Sequence, residues 1–546
     1  MIVDPILSTS RIEAMQREGW WKDENLLDYF DAALAECPDD LAIVEYRMES
    51  GEKSQMTYRQ LAEKADRIAV ALAHYGIEKQ DVVSFQLPNW WEFVAIHLAC
   101  LRIGAVSNPL MPIFRERELS YMVDFAESKI LIVPKTFRGF DHEVMVDKIR
   151  DKLPHLQHLF VVGSDADNGF EKALINHSLD TDTAVLFKER QLNPNDVVLL
   201  MYTSGTTGMP KGVMHCSNTF LFSVHRMVER CDLSKNDDVF MGSPLAHLTG
   251  FMYGMWMPMV LKTKAVFLDV WNVNMGWQLI AEENVSFSMG ATPFLADLTN
   301  SDRGEECNSD RFRVFVCGGA PIPSVLAQEA VEKLSICVSA IWGMSECGVV
   351  TTTKLDDPAE KVFGSDGVAV PGCEVKVVDE NGVTLPQGEE GRLLEKGPGT
   401  FIGYLKCPEA YGVDADGFFD TGDLARMDAD GYIRITGRSK DIIIRGGENI
   451  PVVEVENILY KHPDIIDCAV VAMPDERLGE LGCCFVTLKD GVEFTFNDMI
   501  DFLKEHQLAR NYLPEHLEVV ADMPRTASGK IQKFELREFS KGIVRR

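Results

Sequence analysis

The stretch "DVVLLMYTSGTTGMPKG" runs from Asp196 to Gly212. Val197–Tyr202 is an unbroken apolar run, the pattern of a strand buried on both faces. The next ten residues bring glycines, hydroxyls and one cation. "SNTFLFSVHRMV" (217–228) then places apolar residues at helical spacing, with Ser217 set to cap the helix. Strand, loop and helix in this order suit anion binding, because backbone N–H groups in an uncluttered loop can converge on phosphate oxygens. Thr203, Ser204, Thr206 and Thr207 add hydroxyl donors, and Lys211 adds a charge. The spacing is not that of the G-x-x-x-x-G-K-[ST] loop: Pro210 precedes Lys211 and Gly212 follows it. It is not G-x-G-x-x-G either.

The same alternation extends outward. "YRQLAEKADRIAVALAHY" (58–75) sets Leu61, Ala65, Ile68, Ala69 and Leu72 on one helical face, and Gly76 ends it. "DVVSFQL" (81–87) predicts a strand and "WEFVAIHLACLRIG" (91–104) a helix. The expected fold class is therefore α/β with parallel-rich sheets. From about residue 365 the texture changes to short strands split by Asn-Gly and Gly-rich turns, a small β unit. A boundary is expected at Gly437–Lys440. It divides an N-terminal domain (1–438, with the β-rich unit at 365–438) from an α+β C-terminal domain (439–546).

The formal net charge of −30 argues against general nucleic-acid binding, which needs a basic surface. An anionic ligand must be met by a local site. The 13 cysteines contain no C-x-x-C, as expected of free thiols in a reducing compartment. No basic start followed by an apolar stretch marks a signal peptide, so a cytoplasmic location is expected. The longest uncharged apolar run, Leu248–Leu261, holds two glycines and a proline and is too short to span a bilayer; a buried segment is expected there.

Further blocks follow: "GGAPI" (318–322), "WGMSE" (342–346), "FFDTGD" (418–423), "GRSKDIIIRGGENI" (437–450) and "PRTASGKIQK" (524–533). With the phosphate loop they resemble, in content and order, the adenylate-forming (AMP-forming) superfamily. The resemblance covers essentially the whole chain. It is closest to short- and medium-chain fatty acyl-CoA synthetases and cyclohexanecarboxylate-CoA ligases. It implies an enzyme using ATP, Mg²⁺ and CoA in two steps. A carboxylate attacks the α-phosphate of ATP to give acyl-AMP and pyrophosphate; a thiol then attacks the acyl carbonyl and expels AMP.

The resemblance also implies roles. Thr203, Ser204, Gly205, Thr206, Thr207 and Lys211 grip the outer phosphates. Gly318, Gly319, Ala320, Trp342, Gly343 and Met344 bind the nucleotide: Gly318 and Gly319 let the backbone approach adenine and the acyl chain, and the Trp342 ring lies against adenine; the family more often has tyrosine at Trp342, and Trp keeps the flat face. Ser345, where threonine is usual, reaches the α-phosphate, and Glu346 is the Mg²⁺ ligand. Asp423 accepts from the ribose hydroxyls, Arg438 reaches ribose or phosphate, and Asp420 is a bystander. Lys530 bridges the carboxylate and the α-phosphate. Lys440 is the hinge of a mobile C-terminal domain, and Gly446 and Gly447 line the CoA path. His247, Leu248, Gly250, Phe251 and Gly290 belong to the acyl pocket, where Ala246 leaves room.

Neither "PLAHLTGF" (244–251) nor "MGATPF" (289–294) contains a charged side chain, so an apolar acid is expected rather than an amino acid. Only residues 531–546 follow Lys530, so free CoA is expected as acceptor and not an attached carrier arm. An aryl-CoA ligase, an acyl-AMP ligase loading a separate carrier protein, a luciferase-type oxygenase and a non-catalytic nucleotide-binding protein share these blocks. A homodimer is compatible with the resemblance.

Overall fold

The computed structural model describes residues 3–178, 181–203, 210–306, 311–319, 322–439, 441–445, 448–475, 477–526 and 529–543. Helix–strand alternation becomes two large sheets. The six-stranded sheet orders Lys211–Cys216, Val197–Thr203, Val106–Pro109, Val82–Phe85, Ile130–Pro134 and His158–Val162. Every neighbouring pair is parallel except the first. The nine-stranded sheet has six central parallel strands: Cys337–Met344, Val314–Gly318, Phe287–Gly290, Val239–Met241, Ala265–Leu268 and Leu41–Arg47. Antiparallel strands close both edges.

The main core lies between these sheets. Val83 and Phe85 of one sheet share a cluster with Val239, Met241 and Val314 of the other. The helix Trp91–Arg102 is buried from Trp91 through Leu101 and belongs to that cluster, as does the inner face of the helix Tyr58–His74. The apolar run Leu248–Leu261 is the buried segment expected: a π-helical turn, Gly250–Trp256, leads into the helix Met257–Leu261. Among the described residues no helix is long and apolar enough to cross a membrane.

The turn-rich stretch folds as a four-stranded antiparallel sheet, Glu374–Val378, Gly391–Lys396, Phe419–Met427 and Ile433–Arg438. A further sheet joins Glu448–Ile450, Ile443–Arg445, Gly479–Leu488, Ile465–Asp475 and His516–Val519. Among the described residues its strands pair only with one another, over a core that includes Val455, Leu459, Val486 and Leu503.

The phosphate stretch departs from a plain strand–loop–helix. A second strand, Lys211–Cys216, returns antiparallel to Val197–Thr203 before the helix Ser217–Arg230 begins. The helix is capped at Cys216 and not Ser217; the Cys216 N–H donates to Thr219 Oγ1 at 3.2 Å. The cause is non-local. The far edge of Lys211–Cys216 is taken up by residues 402–405, through Ile402 N–H to the Met214 carbonyl (3.0 Å) and Leu405 N–H to the Gly212 carbonyl (2.8 Å).

Candidate active site

Four adjacent parallel strands deliver the candidate residues at their C-terminal ends, where open α/β sheets bind ligands. Val239–Met241 leads to Ala246 and His247, and Phe287–Gly290 ends at Gly290. Val314–Gly318 ends at Gly318 and Gly319, and Cys337–Met344 contains Trp342, Gly343 and Met344 before Ser345 and Glu346. Gly319 needs its missing side chain, with φ of +82°. Gly343 needs it for space: a Cβ there would stand 2.0 Å from the Gly348 carbonyl oxygen. Thr203 ends its strand opposite Lys211. Ser204, Gly205, Thr206, Thr207, Ala320, Lys440, Gly446 and Gly447 lie outside the described residues.

Glu346 is buried, and burial pushes its carboxyl above the usual range. The opposing pulls are the Tyr404 hydroxyl, which donates to Oε1 at 2.7 Å, and the charges of Arg438 and Lys211. The Phe401 N–H donates to the Glu346 carbonyl at 2.6 Å. Lys211 Nζ lies over the Tyr404 ring, 4.8 Å from its centroid. Tyr404 and Phe401 were not singled out by the sequence. Their signal is the Gly-rich aromatic run "GPGTFIGYL" (397–405), which pairs with the strand that Lys211 opens.

Asp423 and Arg438 face each other on paired strands, with Arg438 Nε 2.9 Å from Asp423 Oδ1. The other oxygen, Oδ2, accepts the indole N–H of Trp342 at 2.9 Å. Trp342 thus brings a donor to Asp423, while its ring packs among Val350, Val377 and Leu393. Asp420 pairs instead with Arg392 and stands apart.

Lys530 arrives at this group from the far end of the chain. Its backbone N–H donates to Thr526 Oγ1 at 3.0 Å, and Arg525 Nη1 donates to the Gly529 carbonyl at 2.6 Å. The loop rests on the helix Thr292–Asn300: a Cβ on Gly529 would lie 3.5 Å from Pro293 and 3.9 Å from Phe294. The positive charge of Arg438, followed by partial loss of hydration among the surrounding residues, pushes the exposed Lys530 down to about 8, against the pull of Asp423. Burial, then the charge of Lys530, pushes His247 down to about 4, so its imidazole is neutral at pH 7. Its Nδ1 accepts the Thr249 N–H at 3.3 Å. Leu248, Gly250 and Phe251 are buried beside it. Phe294 stands at the edge of Gly290 and packs on Trp271, with ring centroids 4.7 Å apart.

The site therefore joins an exposed lysine, a buried carboxylate, an Asp–Arg pair and a neutral histidine beside apolar residues. That arrangement can hold a nucleotide and set a carboxylic acid against its phosphate. The family model "AMP-binding enzyme" matches residues 30–405, and "AMP-binding enzyme C-terminal domain" matches residues 454–530. The chain is 38% identical to a medium-chain fatty-acid–CoA ligase of Escherichia coli K12, over 100% of this chain and 95% of that one. It is 31% identical to a 2,3-dihydroxybenzoate-AMP ligase of Bacillus subtilis, over 96% and 95%. Its fold superposes on ATP-bound MatB from Rhodopseudomonas palustris with a TM-score of 0.84 at 28% identity, over 96% and 100%. The chain belongs to the AMP-binding enzyme family, in its branch of AMP-forming acid–thiol ligases.

Proposed function

We propose that this protein activates an apolar monocarboxylic acid with ATP and passes the acyl group to free CoA. The observation that carries the reading is the position of Lys530, brought from the end of the chain to the Asp423–Arg438 pair and close to His247. The carboxylate oxygen bonds to the α-phosphorus and pyrophosphate leaves. The thiol sulfur then bonds to the acyl carbon, the acyl–phosphate bond breaks, AMP leaves, and the thiol proton passes to solvent. Lys530 offsets the repulsion between carboxylate and phosphate in the first step. Lys211 and the hydroxyls of residues 203–207 hold the outer phosphates, Ser345 the α-phosphate, and Asp423 the ribose. Residues 439–546 act as the domain that changes orientation about Lys440 between the steps, bringing Gly446 and Gly447 to the thiol.

Glu346 would hold Mg²⁺. Its hard-oxygen chemistry fits, and one protein carboxylate completed by phosphate oxygens and water is how this ion is commonly bound. Among the described residues no cluster of three ligating side chains offers a dedicated cage. When bound, the ion neutralises phosphate charge.

The apolar surroundings of His247, Phe251 and Phe294 favour an uncharged acid body, as does similarity to a medium-chain ligase. Acids of about six to ten carbons, linear or alicyclic, are expected to give the highest kcat/KM. The test is pyrophosphate release, then CoA-dependent AMP release, over linear, cyclic, aromatic, amino and dicarboxylic acids. A preference for amino acids or dicarboxylates would defeat the reading; a preference for benzoates would move it to the aryl ligases.

Trp342→Phe keeps an aromatic ring, smaller than the indole, and removes the donor to Asp423. A hydrogen bond to a charged group is worth about 1.5 kcal/mol, so the KM for ATP is expected to rise roughly ten-fold. The KM for the acid should stay unchanged. Equal rises in both would assign Trp342 to packing alone.

A further inference from the structure

We propose that His215 is a positioning residue of the nucleotide site, holding Ser345 and Glu346 in register with Lys211. The proposal rests on the reading above, in which those three residues meet ATP. His215 is fully buried on the strand Lys211–Cys216, four residues after Lys211. Its Nε2 lies 2.7 Å from the Ser345 carbonyl oxygen. A carbonyl only accepts, so Nε2 carries the proton; Nδ1 faces Thr219 Oγ1 at 3.1 Å, a hydroxyl whose one proton also has the Cys216 carbonyl within reach at 3.0 Å.

Residues 211, 213 and 215 share one face. Lys211 lies over Tyr404, Val213 packs with Phe401, Tyr404 and Met344, and His215 reaches Ser345. Tyr404 and Phe401 in turn hold the side chain and the carbonyl of Glu346. One strand face thus sets the phosphate lysine and the Ser345–Glu346 turn in a single bracket. His215 is its only direct hydrogen bond to Ser345 among the described residues. Its neighbour Met214, on the other face, instead exchanges backbone hydrogen bonds with Ile402 and Gly403.

The test compares His215→Gln, whose amide N–H can replace Nε2–H, with His215→Met, of similar length and without a donor. KM values are compared because they do not depend on how much of the preparation is folded. His215→Met is expected to raise the KM for MgATP about ten-fold, the usual scale for an outer-sphere partner, and to leave the KM for the acid unchanged. His215→Gln should stay within about threefold of wild type. Equal KM values in the two variants, or an acid KM that rises as far as that of ATP, would overturn the proposal. Should His215→Met give no soluble protein, His215→Leu, also without a donor, replaces it. It should raise the MgATP KM alone, and an unchanged value overturns the proposal. If wild type itself releases no pyrophosphate with any acid, the functional reading fails. MgATP binding by calorimetry then makes the same comparison of His215 variants: weaker binding in Met than in Gln supports the proposal, and equal binding overturns it.

Discussion

Lys530→Ala is expected to lower pyrophosphate release from ATP and acid by about 10²–10³-fold, the scale of losing one donor to developing charge. ATP should still bind, because Lys211, Glu346 and the Asp423–Arg438 pair are untouched. The pH profile gives a second readout. With Arg438 as the main cause holding Lys530 down to about 8, kcat/KM for the first step falls as pH rises through about 8, where the lysine loses its proton. Arg438 disfavours the charged lysine, so Arg438→Gln moves this limb to higher pH. Asp423 favours it, so Asp423→Asn moves the limb lower. Both variants lose rate, and the position of the limb carries the information. A limb that stays in place in both variants, or near-normal pyrophosphate release from Lys530→Ala, rejects the assignment.

Gly343→Ala is expected to leave less than about 1% of adenylation and to destabilise the fold by ~2–3 kcal/mol. The added Cβ would meet the Gly348 carbonyl oxygen at 2.0 Å and its carbon at 3.0 Å. Both are backbone atoms of the paired strand, so no side chain can swing aside. The pairing of Gly343 with Val349 and of Met344 with Gly348 must open, and the turn bearing Ser345 and Glu346 moves with it. Gly364→Ala is the control: a Cβ there meets nothing within 4 Å, at the end of the helix Ala359–Gly364. It should leave melting temperature and activity near wild type. Measuring both variants by calorimetry and pyrophosphate release decides the matter. A fully active Gly343→Ala would show that this turn yields more easily than its geometry indicates.

What the sequence disclosed followed from local chemistry. Apolar runs gave the buried strands, helical spacing gave Tyr58–His74 and Trp91–Arg102, and Asn-Gly turns marked the small β unit. The family blocks identified the residues expected at the nucleotide. The strand Lys211–Cys216 was hidden because its two partners, Val197–Thr203 and residues 402–405, approach from either side. Pro210 and Gly212 make the same six residues look like loop. Tyr404, His215 and the Trp342–Asp423 bond were hidden for a related reason. Each acts through a residue 58 to 130 positions away in sequence, and a spacing rule reaches only a few turns or one hairpin.

The loop that presents Lys530 rests on Pro293 and Phe294, the first turn of a helix whose Phe294 also borders Gly290. On the proposed reading Phe294 lines the acid's chamber, so fit and catalysis would share one piece of scaffold. An oversized acid that pushes this ring aside shifts the ledge supporting the lysine, whereas a small acid leaves the ledge in place. Selectivity then has a kinetic component. Poorly fitting acids are slowed at saturation as well as bound weakly, so rank order by turnover and rank order by affinity separate as acids grow past the size the ring tolerates.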